Sequence, residues 1–225
     1  MVKLKQPGQV SSNTQSTLSD LVTFVRSATR NQELTMNSFD GYVIVDVETT
    51  GLDPVLDTIL ELGILIADKD FNVIAEFSEV AYFDLELESH GIDQFVIDMH
   101  TNNGLWEECI NSTFGLSRLQ DAAINFLKEG GWDNQPMCGS TVQFDRSFIA
   151  QHMPDLNKVF HYRHIDVSSF KNVFNKYNWA RHNLSGKSVG AHRSLPDCYD
   201  TLYELRSYVA QIGIWQQQMF SDNHL

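Results

Sequence analysis

Apolar and polar positions follow two different periods along this chain. From residue 42 the stretch "YVIVDV" is almost continuously apolar, the pattern of a buried strand. "TILELGILIAD" and "NVIAEFSEVAYF" read as two further strands, with "DKDFN" as the hairpin connection between them. Further on, "LSRLQDAAINFLKEGGW" has helical spacing and stops at a glycine pair. "PMCGS" is short, apolar and bounded by turn residues, hence a strand. "FDRSFIAQHM" reads as a helix, "RHIDVSSFKNVFNKY" as a strand running into a helix, and "LPDCYDTLYELRSYVAQIGI" as a long amphipathic helix. Three strands followed by alternating helices and short strands predict an α/β domain with a mixed sheet flanked by helices.

Outside this pattern, residues 1–39 form an N-terminal extension that is polar at first, with Leu18, Leu21, Val22 and Val25 spaced for one short helix. The main domain is expected over 40–215, with 216–225 as a tail. With 225 residues and 42% hydrophobic content, the chain can bury one sizeable core. Its formal charge of −13 argues against sequence-independent binding of long polyanions, which relies on many Lys and Arg contacts. A nucleic-acid ligand is therefore expected to be short, or gripped locally with metal ions. Cys109, Cys138 and Cys198 are odd in number and far apart, which speaks against a disulfide framework or zinc knuckle and for a reducing compartment. Without an apolar leader or a membrane-length apolar run, a cytoplasmic protein is the expectation.

The chemistry begins in "VDVETTGLDP". Asp46 and Glu48 are two apart on a predicted strand, so both side chains leave the same face. They sit at the strand's C-terminal end, where open α/β sheets place ligands. Two carboxylates so close raise one pKa unless a hard cation neutralises them, and oxygen-only ligation suits Mg²⁺ or Mn²⁺. The other reading is a pair of solvated acids at a strand end. Asp145 opens the "FDRSF" helix, where the macrodipole favours an acid with no further role. Asp197 ends "AHRSLPD", and Ser194-x-x-Asp197 resembles a capping box. His192 precedes it in a loop and, beside carboxylates, is a candidate general base. Glu61, inside "ILELGI", either faces the acid site or faces solvent.

In chain order, D-x-E, a later F-D, and H-x-x-x-x-D resemble the DEDDh 3′–5′ exonucleases, which have a ribonuclease H-like fold. "VDVETTGLDP", "DMHTNNGLWEECINST", "MCGSTVQFDRSFIAQHMPDL", "FHYRHIDVSSFK" and "AHRSLPD" are similar to successive blocks of oligoribonuclease, over residues 42 to about 210. The resemblance implies that Asp46, Glu48, Asp145 and Asp197 bind two divalent ions and that His192 activates water. It implies hydrolysis of short oligonucleotides to nucleoside 5′-monophosphates. Leu52, otherwise an ordinary core leucine, matches the residue that wedges between bases, with Gly51 allowing the sharp bend before it. His100, otherwise a loop histidine, matches a residue packing near the terminal nucleotide. Tyr162 of the partner subunit would stack on a base. Arg163, Ser168 and Ser169 would cap the 5′ phosphate, with Thr141 from the other subunit, so a homodimer is implied.

This chain departs from that family's pattern at Thr49, where Met is usual, at Phe95, where Trp is, at Phe144, at Thr141 in place of Ser, and at Pro196 in place of an acid. The departures bear on length preference rather than on nuclease chemistry. Two alternatives stand beside the leading one: a 3′–5′ exonuclease on longer single-stranded DNA or RNA, and a catalytically idle binding or assembly module.

Overall fold

Strand β1 (Gly41–Thr49) pairs antiparallel with β2 (Ile59–Asp68), and β2 pairs antiparallel with β3 (Val73–Val80). The turn between β2 and β3 closes where Asp68 and Asn72 bond through backbone and side chain. The computed structural model describes residues 39–88, 91–177 and 192–221, without the side chains of 87, 88 and 215–221. After β3 come α1 (Leu85–Glu88), α2 (Gln94–Asn102), α3 (Leu105–Asn111) and α4 (Leu116–Glu129). Then follow β4 (Pro136–Gly139), α5 (Gln143–His152), α6 (Pro154–Val159), β5 (His161–Asp166), α7 (Val167–Lys176) and α8 (Ser194–Ser221). The sheet order is β3-β2-β1-β4-β5, with β4 and β5 parallel to β1, so the sheet is mixed as predicted.

Among the described residues, each segment given a type by its pattern adopts that type. The periodicity left α1, α2, α3 and α6 unassigned. Helix α2 starts because Asp93 accepts the Phe95 N–H at 2.8 Å, an N-cap bond that relieves an orphan donor. It is held to α3 by the Trp106 indole, which donates to the Ile97 carbonyl. Pro154 occupies the first turn of α6, where its missing N–H costs nothing. Helix α8 continues to Ser221, into the stretch read as a tail. The extension's expected helix, and the segment 178–191, lie outside the described residues.

Strand alternation divides the core between the two faces of the sheet. Val43, Val45 and Val47 of β1 with Leu62, Ile64 and Ile66 of β2 pack against Leu119, Ala123 and Leu127 of α4 and Phe148 and Ile149 of α5. Ile44 and Leu65, on the opposite face, pack with Val167, Phe174 and with Cys198, Leu202 and Leu205 of α8. Full burial of each such aliphatic side chain contributes roughly 1.5–3 kcal/mol. All three cysteines are buried free thiols. Among the described residues no helix is long and apolar enough to cross a membrane.

The second face decides where the acids go. Ile44, Asp46 and Glu48 share it, and their register partners on β2 are Leu65, Gly63 and Glu61. Gly63 leaves the gap into which α8 begins. A Cβ there would lie 2.7 Å from the Ser194 carbonyl carbon and 2.9 Å from the Leu195 nitrogen. We therefore expect Gly63→Ala to lower unfolding free energy by about 1–3 kcal/mol, read by urea denaturation, because backbone and not a flexible side chain must give way.

Candidate active site

Three chain segments meet at the C-terminal end of β1. Asp46 and Glu48 come from β1 itself, and Asp197 from the first turn of α8. One carboxylate oxygen from each of these three lies within 4.8 Å of the others. Asp145 arrives from the other side of the strand, in the first turn of α5. Strand β4 ends at Gly139, and further along β1 the Val47 N–H donates to Asp145 Oδ1 at 3.0 Å. Asp145 is thus tied to the backbone between Asp46 and Glu48. It stands beside the three-residue group, and its charge acts on Asp46.

Burial and like charge act in the same direction here. Burial raises the Asp46 carboxyl well above the usual carboxylate range, and Asp145, Glu48 and Asp197 add to it. Burial also pushes Glu48 up to about 8, with Asp197 and Glu61 raising it further and Arg193 opposing. Asp145 is pushed up to about 7 by burial, against the lowering effect of the Val47 N–H. A donor set made only of carboxylate oxygens, desolvated and mutually repelling, fits a hard divalent cation.

The capping-box reading of Ser194 and Asp197 is overturned. Ser194 Oγ is buried without a hydrogen-bond partner among the described residues. The Ser194 N–H donates instead to Glu61 Oε2 at 3.0 Å, so a carboxylate from β2 caps α8. Glu61 therefore faces inward, 2% exposed, opposite Glu48. Sequence reasoning missed its partner, Arg193, although a buried acid on a strand is itself a signal that a cation must be near.

The two histidines differ. His192 is exposed, with its backbone in the left-handed region (φ 40°) and its carbonyl accepting from Asn103 Nδ2 at 2.7 Å. His100 is no loop residue: it lies on α2, fully buried, with Nε2 3.3 Å from the Thr49 carbonyl and 3.8 Å from Glu48 Oε2. Its ring meets Trp106 edge-on. Burial lowers the His100 pKa, which disfavours the charged ring. His100 thus supports the Glu48–Thr49 strand end from beneath.

A cleft of about 530 Å³ opens beside Glu48, lined by Thr49, Leu52, Phe95, Val96, Met99 and Phe144. Leu52 is 83% exposed, which excludes the reading of it as a core leucine. Its turn is tied by Asp57, which accepts from Thr50 Oγ1 at 3.2 Å and the Asp53 N–H at 2.9 Å. Gly51 does not need a left-handed φ; any Cβ there would collide with the Asp57 carboxyl. On the far side, Thr141 Oγ1 and Ser168 Oγ share a hydrogen bond of 3.0 Å within one chain, so these two hydroxyls need no second subunit to meet. Asp166 accepts both their backbone N–H groups. Ser169 is exposed nearby. Tyr162 is exposed on the edge strand β5, with the Arg163 guanidinium 5.4 Å from its ring centre.

A model of the exonuclease family matches residues 43–205. Oligoribonuclease of Hydrogenovibrio crunogenus is 36% identical over 181 residues, covering 77% of this chain and 94% of that protein. Oligoribonuclease of Escherichia coli K12 is 33% identical over 173 residues, covering 75% and 93%. The chain belongs to the oligoribonuclease family of exonucleases. Its fold is also that of E. coli exonuclease I in a zinc-bound complex with single-stranded DNA, at a TM-score of 0.61 and 13% identity. That match covers 82% of this chain and 43% of the other, so the chain spans less than half of exonuclease I. As an oligoribonuclease-family exonuclease, this is an enzyme that cuts phosphodiester bonds in nucleic acid, and its carboxylate cluster agrees with the family's general need for divalent metal.

The raised carboxyl groups give a signed pH dependence. Folded Glu48, at about 8 against an ordinary 4.5, binds more protons than the unfolded chain through that interval, so the metal-free protein loses stability as pH rises through it. A cation competes with those protons. We expect Mg²⁺ to raise Tm more above pH 8 than below pH 7, measured by differential scanning fluorimetry. At the higher pH, Glu48→Gln should raise the metal-free Tm while shrinking the Mg²⁺-induced shift.

Proposed function

We propose that this chain is a 3′–5′ exoribonuclease that hydrolyses short oligonucleotides, down to dinucleotides, to nucleoside 5′-monophosphates. One observation carries the reading: Glu48, a member of the acid cluster at the end of β1, lines a cleft that the exposed Leu52 also lines. Asp46, Glu48, Asp145 and Asp197 would hold two divalent cations, Mg²⁺ or Mn²⁺. Such ions, when bound, stabilise the charge on the attacking and leaving oxygens of an in-line displacement. His192, five residues before Asp197 and exposed, takes the proton of the attacking water as general base. Water adds to the terminal phosphorus, the bond to the preceding 3′ oxygen breaks, and the nucleoside 5′-monophosphate leaves.

Leu52 inserts between the last two bases, in a cleft that Phe95 also lines. His100 acts through the strand end it supports. Tyr162 stacks on a base across a homodimer interface, and Arg163, Thr141, Ser168 and Ser169 receive the 5′ phosphate. Arginine and hydroxyl donors suit that group, and a closed 5′ end favours short substrates. With this reading goes an exonuclease domain over 40–215, its last helix α8 running on to Ser221, working in the cytoplasm. Thr49 and Phe144, where the chain departs from the oligoribonuclease pattern, favour the second reading, activity on longer single strands. All five catalytic positions hold the required residue types, which stands against an idle module.

Hydrolysis of 5′-labelled RNA and DNA from dinucleotides to twenty-mers, with Mg²⁺ and with Mn²⁺, decides between the two active readings. The short-substrate reading expects rates to fall with length; rates independent of length establish the longer-strand activity instead. Asp46→Ala should lower kcat on the order of 10³-fold or more. Leu52→Ala should raise KM for dinucleotides about tenfold with little change in kcat, since covering an exposed leucine side chain with the bases contributes roughly 1.5–3 kcal/mol.

A further inference from the structure

Between His192 and Asp197 stands a residue with no assigned task. The Arg193 guanidinium makes two forks. Nε donates to Glu61 Oε2 at 3.0 Å and Nη2 to Glu61 Oε1 at 3.0 Å. Nη1 and Nη2 also donate to the two oxygens of Glu108, at 2.8 and 2.7 Å. Glu61 is 2% exposed and takes two more bonds, from Ser78 Oγ at 3.3 Å and from the Ser194 N–H at 3.0 Å. Three consecutive residues are therefore held to fixed points. Asn103 holds the His192 carbonyl, and its own Oδ1 accepts from Leu105 N at 3.0 Å, which sets the orientation of the amide. Glu61 and Glu108 hold the Arg193 side chain, and Glu61 the Ser194 backbone. The Arg193 carbonyl then accepts the Asp197 N–H at 3.0 Å, the first helical bond leading to that acid.

We propose that the Glu61–Arg193 ion pair positions His192 and Asp197 against Asp46 and Glu48. The inference rests on the roles given above to His192 and Asp197. His192 has a left-handed backbone without being glycine, a conformation that persists only where its surroundings hold it. Arg193 is the next residue, and a planar guanidinium in two forks has no rotational freedom left. Asp197 sits one helical turn beyond. Any rotation at residue 193 therefore moves base and acid together. Charge compensation is a separate matter: an ammonium in the same place would offset the acids about as well, yet it cannot form both forks.

The two roles separate in Arg193→Lys, which keeps the charge and loses the forks. With the full chain, Mg²⁺ and a dinucleotide substrate, kcat should fall about tenfold or more while KM changes less than about threefold. Thermal melting gives the folded fraction by which kcat is corrected. In a cycle with His192→Ala, the combined loss should fall short of the product of the two single losses, because both act on one proton transfer. Glu108→Gln, which breaks only the half-exposed outer fork, should cost kcat less than Arg193→Lys. A wild-type kcat in Arg193→Lys beside an inactive His192→Ala overturns the positioning role alone. So do losses that multiply in full. Near-normal kcat in His192→Ala overturns the base reading and this inference with it.

Discussion

The repulsion among carboxylates at the end of β1 is the constraint on which the rest of this structure depends. Asp46, Glu48, Asp145 and Asp197, with Glu61 opposite Glu48, bring acids together in a largely desolvated place. Each is held differently. Asp145 rests on the Val47 N–H, Glu61 on Arg193 and the start of α8. Asp46, Glu48 and Asp197 each bring a carboxylate oxygen within 4.8 Å of the others, where a proton or a cation relieves the repulsion. That is a poor arrangement for stability and a good one for binding hard metal ions. A sheet buried on both faces by aliphatic side chains supplies the rigidity to keep it.

Around this fixed centre, the parts facing solvent are braced rather than buried. Leu52 projects from a turn stiffened by Asp57, and the Thr141–Ser168 hydroxyls sit on backbone held by Asp166. A net charge of −13 gives no long-range attraction for a polyanion. Recognition must then come from contacts at short range, which agrees with a site built from a cleft, a few hydroxyls and concentrated carboxylates. Arg193 and Glu61 belong to the same economy of form: a cation spent on holding the chain in place is unavailable to bind phosphate.

Much of the fold was legible because local patterns and tertiary placement agree. The run through β1 is buried on both faces, so it reads as continuous apolar sequence, and the glycine pair after α4 stops a helix in either context. Helices α2 and α3 were not legible by periodicity, since they are short and one of them buries a histidine, His100, for which a loop position was one of two readings. The capping box at Ser194 failed for a comparable reason. Its residues have the right spacing, but a carboxylate from β2 reaches the same N–H first, and no local rule anticipates a partner 133 positions away.

Read alone, the chain establishes which residue types carry the chemistry and in what order. D-x-E, F-D and H-x-x-x-x-D are short-range patterns, and strand alternation places Asp46 and Glu48 on one side without further information. What lies beyond it is every relation across the sheet: that Gly63 makes room for α8, that Asp145 bonds to Val47, that Glu61 turns inward to Arg193, and that His100 lies beneath Thr49. Those relations depend on register and packing between segments far apart in sequence, where a shift of one residue would turn every side chain to the opposite face.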